Sequence, residues 1–116
     1  MSTNVYNLAG NTIGLSVANT SHAAVTIQSS DPSANAVLIC NTSVSEVMYV
    51  TVLSSPTNAH LGTAAASTVP GDGTAGSLPV LAYSNIPIDG LTFPISVTAI
   101  SSIAGPTLVT FTPIIV

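Results

Sequence analysis

Short apolar runs, each ended by Asn, Gly, Ser or Pro, recur along this chain at intervals of about ten residues. The longest apolar stretch is at residues 37–56, VLICNTSVSEVMYVTVLSSP, where runs at 36–40 and 47–53 flank a polar turn at 41–43. Both runs are rich in β-branched residues, which favour strands. We predict a β-hairpin here, at the centre of the hydrophobic core.

The same plan of strand, turn and strand occurs on both sides of this segment. It predicts a first hairpin from residues 13–17 and 23–28 and a third from residues 95–100 and 108–112. Residues 78–83 form an apolar run that contains Pro79, which favours an edge strand. Residues 86–90, IPIDG, predict a turn, because Pro and Gly commonly interrupt strands.

No segment of the sequence predicts a helix of any length. The chain has 116 residues, which suits one domain with its own core. We therefore predict an all-β fold: a single antiparallel β-sandwich or barrel of about seven or eight strands over residues 1–116, either Ig-like or jelly-roll-like.

Three segments fall outside the predicted strands. Residues 1–11 are expected to form an N-terminal arm or a short edge strand. Residues 54–77 are rich in Ala, Thr, Gly and Ser and predict a long loop, a feature that is often functional. Residues 114–116, Ile-Ile-Val, predict an apolar C-terminal tail that packs on this domain or on a partner.

Charged residues make up only 3% of the chain, and Lys and Arg are absent. Nucleic-acid binding and attraction to anionic membranes both depend on cationic side chains, so neither is expected. No apolar run has the length that crosses a bilayer, and the first residues lack the pattern of a secretory signal, so synthesis in a cytoplasm is expected. A surface with so few charges resists association weakly, which favours a homo-oligomer or a larger assembly.

No catalytic, cofactor-binding or metal-binding residues are predicted, and an enzyme is not expected. His22 and His60 stand outside any ligand spacing, and Cys40 is predicted to be a buried, unreactive thiol. A serine hydrolase lacks its G-x-S-x-G turn, and Asp72 between two glycines is better explained by a turn than by a calcium loop.

Residues 37–113 carry a resemblance to a known family, in the succession LICNTS, VMYVTV, a small-residue loop, PVLAYSNIPID and LVTFTP. This succession resembles small virion proteins of tailed bacteriophages, of the capsid decoration (cement) or head accessory type. The resemblance implies a β-sandwich that binds the major capsid protein, or another virion protein, and strengthens the shell. It also implies a virion location after synthesis in the host cytoplasm.

The expected partner interface lies in the arm, the long loop and the tail. Its predicted residues are Val5, Tyr6, Leu8, Leu61, Val69, Asp72, Ile114, Ile115 and Val116. The alternative is a cell-surface or fibre-associated β-sandwich module that binds carbohydrate or protein. The aromatic share of 4% and the absence of Trp argue against sugar recognition, because little remains to stack on sugar rings.

Overall fold

The computed structural model describes residues 7–20, 22–53, 78–102 and 106–116. Within these ranges the chain forms nine β-strands and no helix, which confirms the all-β prediction. The strands are β1 (Asn7–Leu8), β2 (Ile13–Val17), β3 (Val25–Ile27), β4 (Ala36–Asn41), β5 (Met48–Leu53), β6 (Leu78–Val80), β7 (Asn85–Asp89), β8 (Ile95–Ser101) and β9 (Thr107–Ile115).

The strands form two antiparallel sheets. In the first sheet β9 is central: β1 and β2 follow one another along one of its edges, β4 pairs with the other edge, and β7 pairs with β4. The second sheet has the order β3-β8-β5-β6. The predicted β-sandwich is therefore confirmed, with one or two strands more than the sequence indicated.

The pairing is nested along the chain. β2 pairs with β9, β3 with β8, β4 with β7, and β5 with β6. A long hairpin of four strand pairs, rolled so that alternate pairs fall in opposite sheets, is the topology of a jelly roll. The Ig-like alternative would place strands of early hairpins side by side in one sheet, and this arrangement does not occur among the described strands.

The three predicted hairpins are wrong, although their strands are present. β4 and β5 lie in different sheets, and so do β2 and β3, and β8 and β9. Strands such as β2 and β4 bury alternate residues, Leu15 and Ile39 among them, against the opposite sheet. Alternation shows that one face of a strand is buried, but it does not specify which strand supplies the hydrogen bonds. The polar turns therefore carry the chain from one sheet to the other.

The hydrophobic core fills the space between the inner faces of the sheets. Phe111 of β9 is its largest fully buried side chain. The other core residues are aliphatic or Met: Leu15, Val17, Ile27, Val37, Ile39, Met48, Val50, Val80, Ile95, Val97, Ala99 and Val109. Burial of such side chains contributes about 1.5–3 kcal/mol each, which makes apolar packing the main source of stability in a chain with so few charges.

Residues 86–90 were predicted to be a turn, but residues 85–89 form strand β7. The amide of Asn41 donates to the carbonyl of Ser84 at 2.9 Å. In the register of β4 and β7, this bond shows which residues of β7 direct their backbone groups toward β4 and which direct them away. The backbone groups of Ile86 and Ile88 accordingly face β4, while the nitrogen of Pro87 faces the free edge. Proline is tolerated in this strand because no ladder hydrogen bond is lost there.

The predicted C-terminal tail packs on this domain, one of its two expected positions, but residues 114–115 belong to strand β9 and do not form a separate tail. β9 continues through Pro113 to Ile115, and Ile114 pairs with Ala36 of β4 and Leu8 of β1. Ile114 is fully buried within this chain, so it does not offer a surface to a partner. The nitrogen of Pro113 faces the junction between β1 and β2, where the edge strand is interrupted and needs no donor from β9.

Candidate interaction surface

Two loops meet at one end of the sandwich. The β4–β5 loop covers residues 42–47, and the β6–β7 loop covers residues 81–84. The amide of Tyr83 donates to the carbonyl of Ser43 at 2.9 Å, which joins the two loops directly. The same end includes the start of β9, because the amide and hydroxyl of Thr42 both donate to the carbonyl of Leu108, at 3.2 and 2.7 Å.

Asn41, the last residue of β4, holds this end of the sandwich together. Its side chain is buried, and its Nδ2 donates to the carbonyls of Glu46 and Val80 at 2.7 and 2.9 Å. Its Oδ1 accepts from the amide of Ser43 at 3.0 Å, as expected for an Asn that begins a turn. One buried carboxamide therefore links β4, β6 and the intervening loop. Of the residues predicted to form the polar turn, Thr42 and Ser43 lie in the β4–β5 loop, whereas Asn41 is the last residue of β4.

Four large apolar side chains are exposed on this frame. Val44, Leu81, Tyr83 and Leu108 are exposed by 72, 63, 78 and 46% respectively. They are four of the seven exposed large hydrophobic residues in the described ranges, so exposed apolar area is concentrated at one end. We call these four residues the apolar end surface. An exposed group of apolar side chains on a frame of hydrogen bonds is typical of an interaction site.

Tyr83 has a backbone conformation that is unusual for its type. Its φ is +58°, in the left-handed region, within a turn in which the amide of Ser84 donates to the carbonyl of Leu81 at 3.3 Å. For a residue with a Cβ this conformation costs about 1–2 kcal/mol. A glycine or an asparagine would fit the turn with less strain. The strain therefore accompanies an aromatic ring that points into solvent instead of packing in the core.

Charge is nearly absent from the apolar end surface. Glu46 is half-buried beside it; its amide donates to Ser43 Oγ at 2.9 Å, and its carboxylate accepts from Ser45 Oγ at 3.0 Å. Asp31 and Asp89, the other acids within the described ranges, belong to the opposite end of the sandwich. Contact with this surface would thus depend on apolar area and hydrogen bonds rather than on ion pairs.

The residues that the sequence predicted for the interface are distributed differently. Leu8 is 73% exposed on β1 and Val116 is exposed at the end of the chain, both at the opposite end from the apolar end surface. Ile115 is half-buried and Ile114 is buried. The other predicted interface residues lie outside the described ranges: Val5, Tyr6, Leu61, Val69 and Asp72.

Sequence reasoning missed the apolar end surface for a simple reason. Residues 78–83 were interpreted as one apolar strand, but β6 ends at Val80, and Leu81 and Tyr83 lie in the turn that follows. Val44 lies between Ser43 and Ser45 in a segment predicted to be a polar turn, so it was not considered as an interface residue. One signal in the sequence was available: Pro79 favours a short edge strand. A strand that ends soon after Pro79 leaves Leu81 and Tyr83 in the loop that follows.

The described residues offer little chemistry. His22 is half-buried; its amide donates to the carbonyl of Ala99 at 2.9 Å, and its Nδ1 lies 2.8 Å from the carbonyl of Ala23. Cys40 is half-buried on the outer face of the first sheet, not in the core as predicted. In the described part of the chain no three His, Cys, Asp or Glu residues gather as a metal site would require.

A cleft of about 280 Å³ opens between the edges of the two sheets. It is lined by Gly10, Asn11, Ile13, Thr26, Gln28, Ser29 and Ser30, which contain no ionisable side chain.

The described ranges contain no helix that is long and apolar enough to span a membrane. Compared with family models, with curated proteins and with solved structures, the chain matches none of them.

Proposed function

We propose that the chain is a structural virion protein of a tailed bacteriophage, a capsid decoration protein that binds the major capsid protein shell through its apolar end surface. The observation that carries this proposal is the concentration of Val44, Leu81, Tyr83 and Leu108 on a frame fixed by Asn41. A pre-organised surface binds with little loss of conformational entropy. The function is non-enzymatic.

The composition supports a shell-binding role. A chain without Lys or Arg has no means of holding packaged DNA, so it would remain on the protein shell. Small apolar and hydroxyl side chains allow a broad contact that is closely packed and does not need charge pairs. The jelly roll is common among viral capsid domains, but it also occurs in lectins and cupins, so the fold alone does not select the role.

The strained turn supports the same surface. A left-handed tyrosine persists only where something compensates its cost, and such outliers cluster at binding sites. Within this chain the turn is held by the backbone hydrogen bonds of Tyr83 and Ser84, while the exposed ring of Tyr83 contributes no packing. Tyrosine is among the residue types that dominate interface energetics, because it buries a large rigid ring. We assign Tyr83 as the central contact of the proposed interface.

The test is co-sedimentation of the purified chain with DNA-free heads, and separately with tails, of the phage that carries its gene. We expect binding to heads, and a higher temperature of head disassembly when the chain is bound. Tyr83→Asn is expected to weaken binding about tenfold or more, since it removes the ring and retains a residue that suits the turn. Leu8→Asn, which removes an exposed leucine at the opposite end, is the matched control.

Two results would overturn the proposal. Absence of binding to heads would overturn the capsid decoration role, whether or not the chain binds tails. Binding that is lost in Leu8→Asn and retained in Tyr83→Asn would show that the partner docks at the opposite end, near β1.

A second candidate function is a carbohydrate- or protein-binding module on a cell surface or a fibre. The specific observation in its favour is again Tyr83, whose exposed ring is available to stack on a sugar. Glycan-array binding that disappears in Tyr83→Asn, together with failure to bind heads, would establish this alternative in place of the first.

A further inference from the structure

The free edges of the two sheets are protected to different degrees. An unprotected edge strand presents unpaired backbone groups to other chains, and proteins usually block it with proline, charge or short length. β7 carries Pro87 and Asp89 on its free side, β6 has three residues including Pro79, and β3 has three residues. β2 has five residues, IGLSV, with neither proline nor charge.

The backbone of β2 is available for pairing. Hydrogen-bonding directions alternate along an antiparallel strand, and the bond from Ala9 to the carbonyl of Pro113 shows that odd-numbered residues of β9 face β1 and β2. Leu15 opposite Val109 is therefore bonded to β9, and Gly14 and Ser16 direct their amides and carbonyls away from the sheet. Both residues are exposed, and among the described strands β2 pairs only with β9.

We propose that a second copy of this chain pairs its own β2 with this edge, antiparallel and across a two-fold axis. Gly14 of one copy would lie opposite Ser16 of the other, with reciprocal backbone hydrogen bonds, and Leu15 would lie next to the axis. The first sheets of the two copies would then form one continuous sheet. The backbone pairing does not require the proposed shell binding, although one residue, Leu108, borders both surfaces.

The residues of β2 fit a second copy well. A two-fold contact brings each residue near its own counterpart, so a charged edge would repel itself, whereas β2 has no charge. Gly14 has no side chain and the side chain of Ser16 on the outer face is small, so two strands can approach without a clash. A Cβ on Gly14 would lie 3.0 Å from Leu108 Cδ1, so Leu108 covers this glycine. Leu108 from both copies would consequently flank the seam and bury apolar area there. Leu108 also belongs to the apolar end surface, so the dimer would leave Val44, Leu81 and Tyr83 as the part of that surface available to a shell.

The test is the molar mass of the full chain, measured by light scattering or sedimentation without any phage particle present. We expect twice the mass of one chain, falling to the mass of one chain in Ser16→Lys, because a charge is placed directly at the seam. Asn85→Lys is the matched control: Asn85 also faces a free edge, but that edge is already interrupted by Pro87, so its dimer should remain. Circular dichroism establishes that each variant is folded.

Amide hydrogen exchange gives a second measurement that does not depend on a variant. The amides of Gly14 and Ser16 should become more protected as the wild-type concentration rises, while the amide of Asn85 should not. A wild-type monomer at all concentrations, or a dimer that Ser16→Lys leaves intact, would overturn the proposal. A monomer whose Gly14 and Ser16 amides become protected only when heads are added would replace the second copy with a strand of the shell.

The two proposals fail separately. If the wild type is a dimer and Ser16→Lys is a monomer that still binds heads, the β2 dimer is supported and the proposed shell binding is unaffected. A wild-type dimer that binds no head would remove the proposed function alone.

Discussion

Asn41 Nδ2 donates to the carbonyl of Val80 at 2.9 Å, across 39 positions of the sequence, and thereby joins β4 of the first sheet to β6 of the second. The same nitrogen bonds the carbonyl of Glu46. Buried carbonyls that lose their donor keep the cost of desolvation, so the carboxamide has an effect beyond the strength of its own bonds.

Replacing Asn41 with Ala should therefore lower the free energy of unfolding by about 2–4 kcal/mol, because two carbonyls lose their donor. Urea denaturation followed by circular dichroism measures the change. Asn85→Ala, which removes an exposed carboxamide from β7, should change it by about 0.5 kcal/mol or less. Equal stability of the two variants would contradict the assigned role of Asn41.

Gly10 is expected to tolerate no side chain. A Cβ at this position would lie 2.8 Å from Cγ of Pro113, where β9 passes the interruption between β1 and β2. Gly10→Ala should destabilise the protein by about 1–3 kcal/mol through overpacking. In Gly14→Ala the nearest atom is the end of the exposed Leu108 side chain, which can move aside, so the effect should be smaller. Thermal unfolding at one protein concentration compares them; a larger loss in Gly14→Ala would refute this explanation.

The C-terminal residues should contribute unequally to stability. Ile114→Ala removes a fully buried side chain and should cost about 2–4 kcal/mol. Val116→Ala trims an exposed side chain and preserves the backbone bonds with Asn35, so its effect should stay below about 0.5 kcal/mol. Chemical denaturation of both variants is the measurement. If they were equally stable, Ile114 would not be the buried strand residue described above.

The turn at Tyr83 predicts a difference between two substitutions that both remove the ring. Asn is tolerated in the left-handed region and Ala is not, so Tyr83→Asn should be more stable than Tyr83→Ala by about 1 kcal/mol. Denaturation midpoints of the two variants give this difference directly. A more stable Ala variant would show that residue 83 does not hold a left-handed backbone in solution.

Salt should have little effect on shell binding. The apolar end surface has no full charge among its four residues, so screening removes little attraction. The dissociation constant for heads should change by less than about threefold between low and high salt, a difference of under about 0.7 kcal/mol. A titration at several salt concentrations measures it, and a steep dependence would require a charged contact elsewhere on the chain.

Most strands were predictable because each has a clear local cause. The alternation at Ile13, Leu15 and Val17, and the apolar run of β4, reflect burial of one face against the core. β7 was missed because Pro87 normally interrupts a strand. The proline nitrogen, which has no hydrogen to donate, costs no hydrogen bond only where it faces a free edge of the sheet. Whether an edge is free depends on how the other strands pair.

The candidate site was less predictable than the strands. Leu81 and Tyr83 are apolar, and apolar residues next to a strand are ordinarily taken as part of it. They are exposed because β6 ends at Val80 and because the amide of Tyr83 bonds the carbonyl of Ser43. The pairing of β6 with β5 and this hydrogen bond both involve residues that are distant in sequence. Ile114 is the reverse case: it was expected at a surface and is buried.

By itself, the sequence determined that this chain forms an all-β sandwich held by apolar burial, without cations to bind nucleic acid. Composition and period-two alternation are local properties, and they decide which residues must leave water. Only the tertiary structure decided that the strands pair in nested order as a jelly roll, and that Val44, Leu81, Tyr83 and Leu108 are exposed at the same end of the sandwich. The physical reason is that backbone hydrogen bonds are alike in every strand, so the partner of a strand is selected by packing across the whole core.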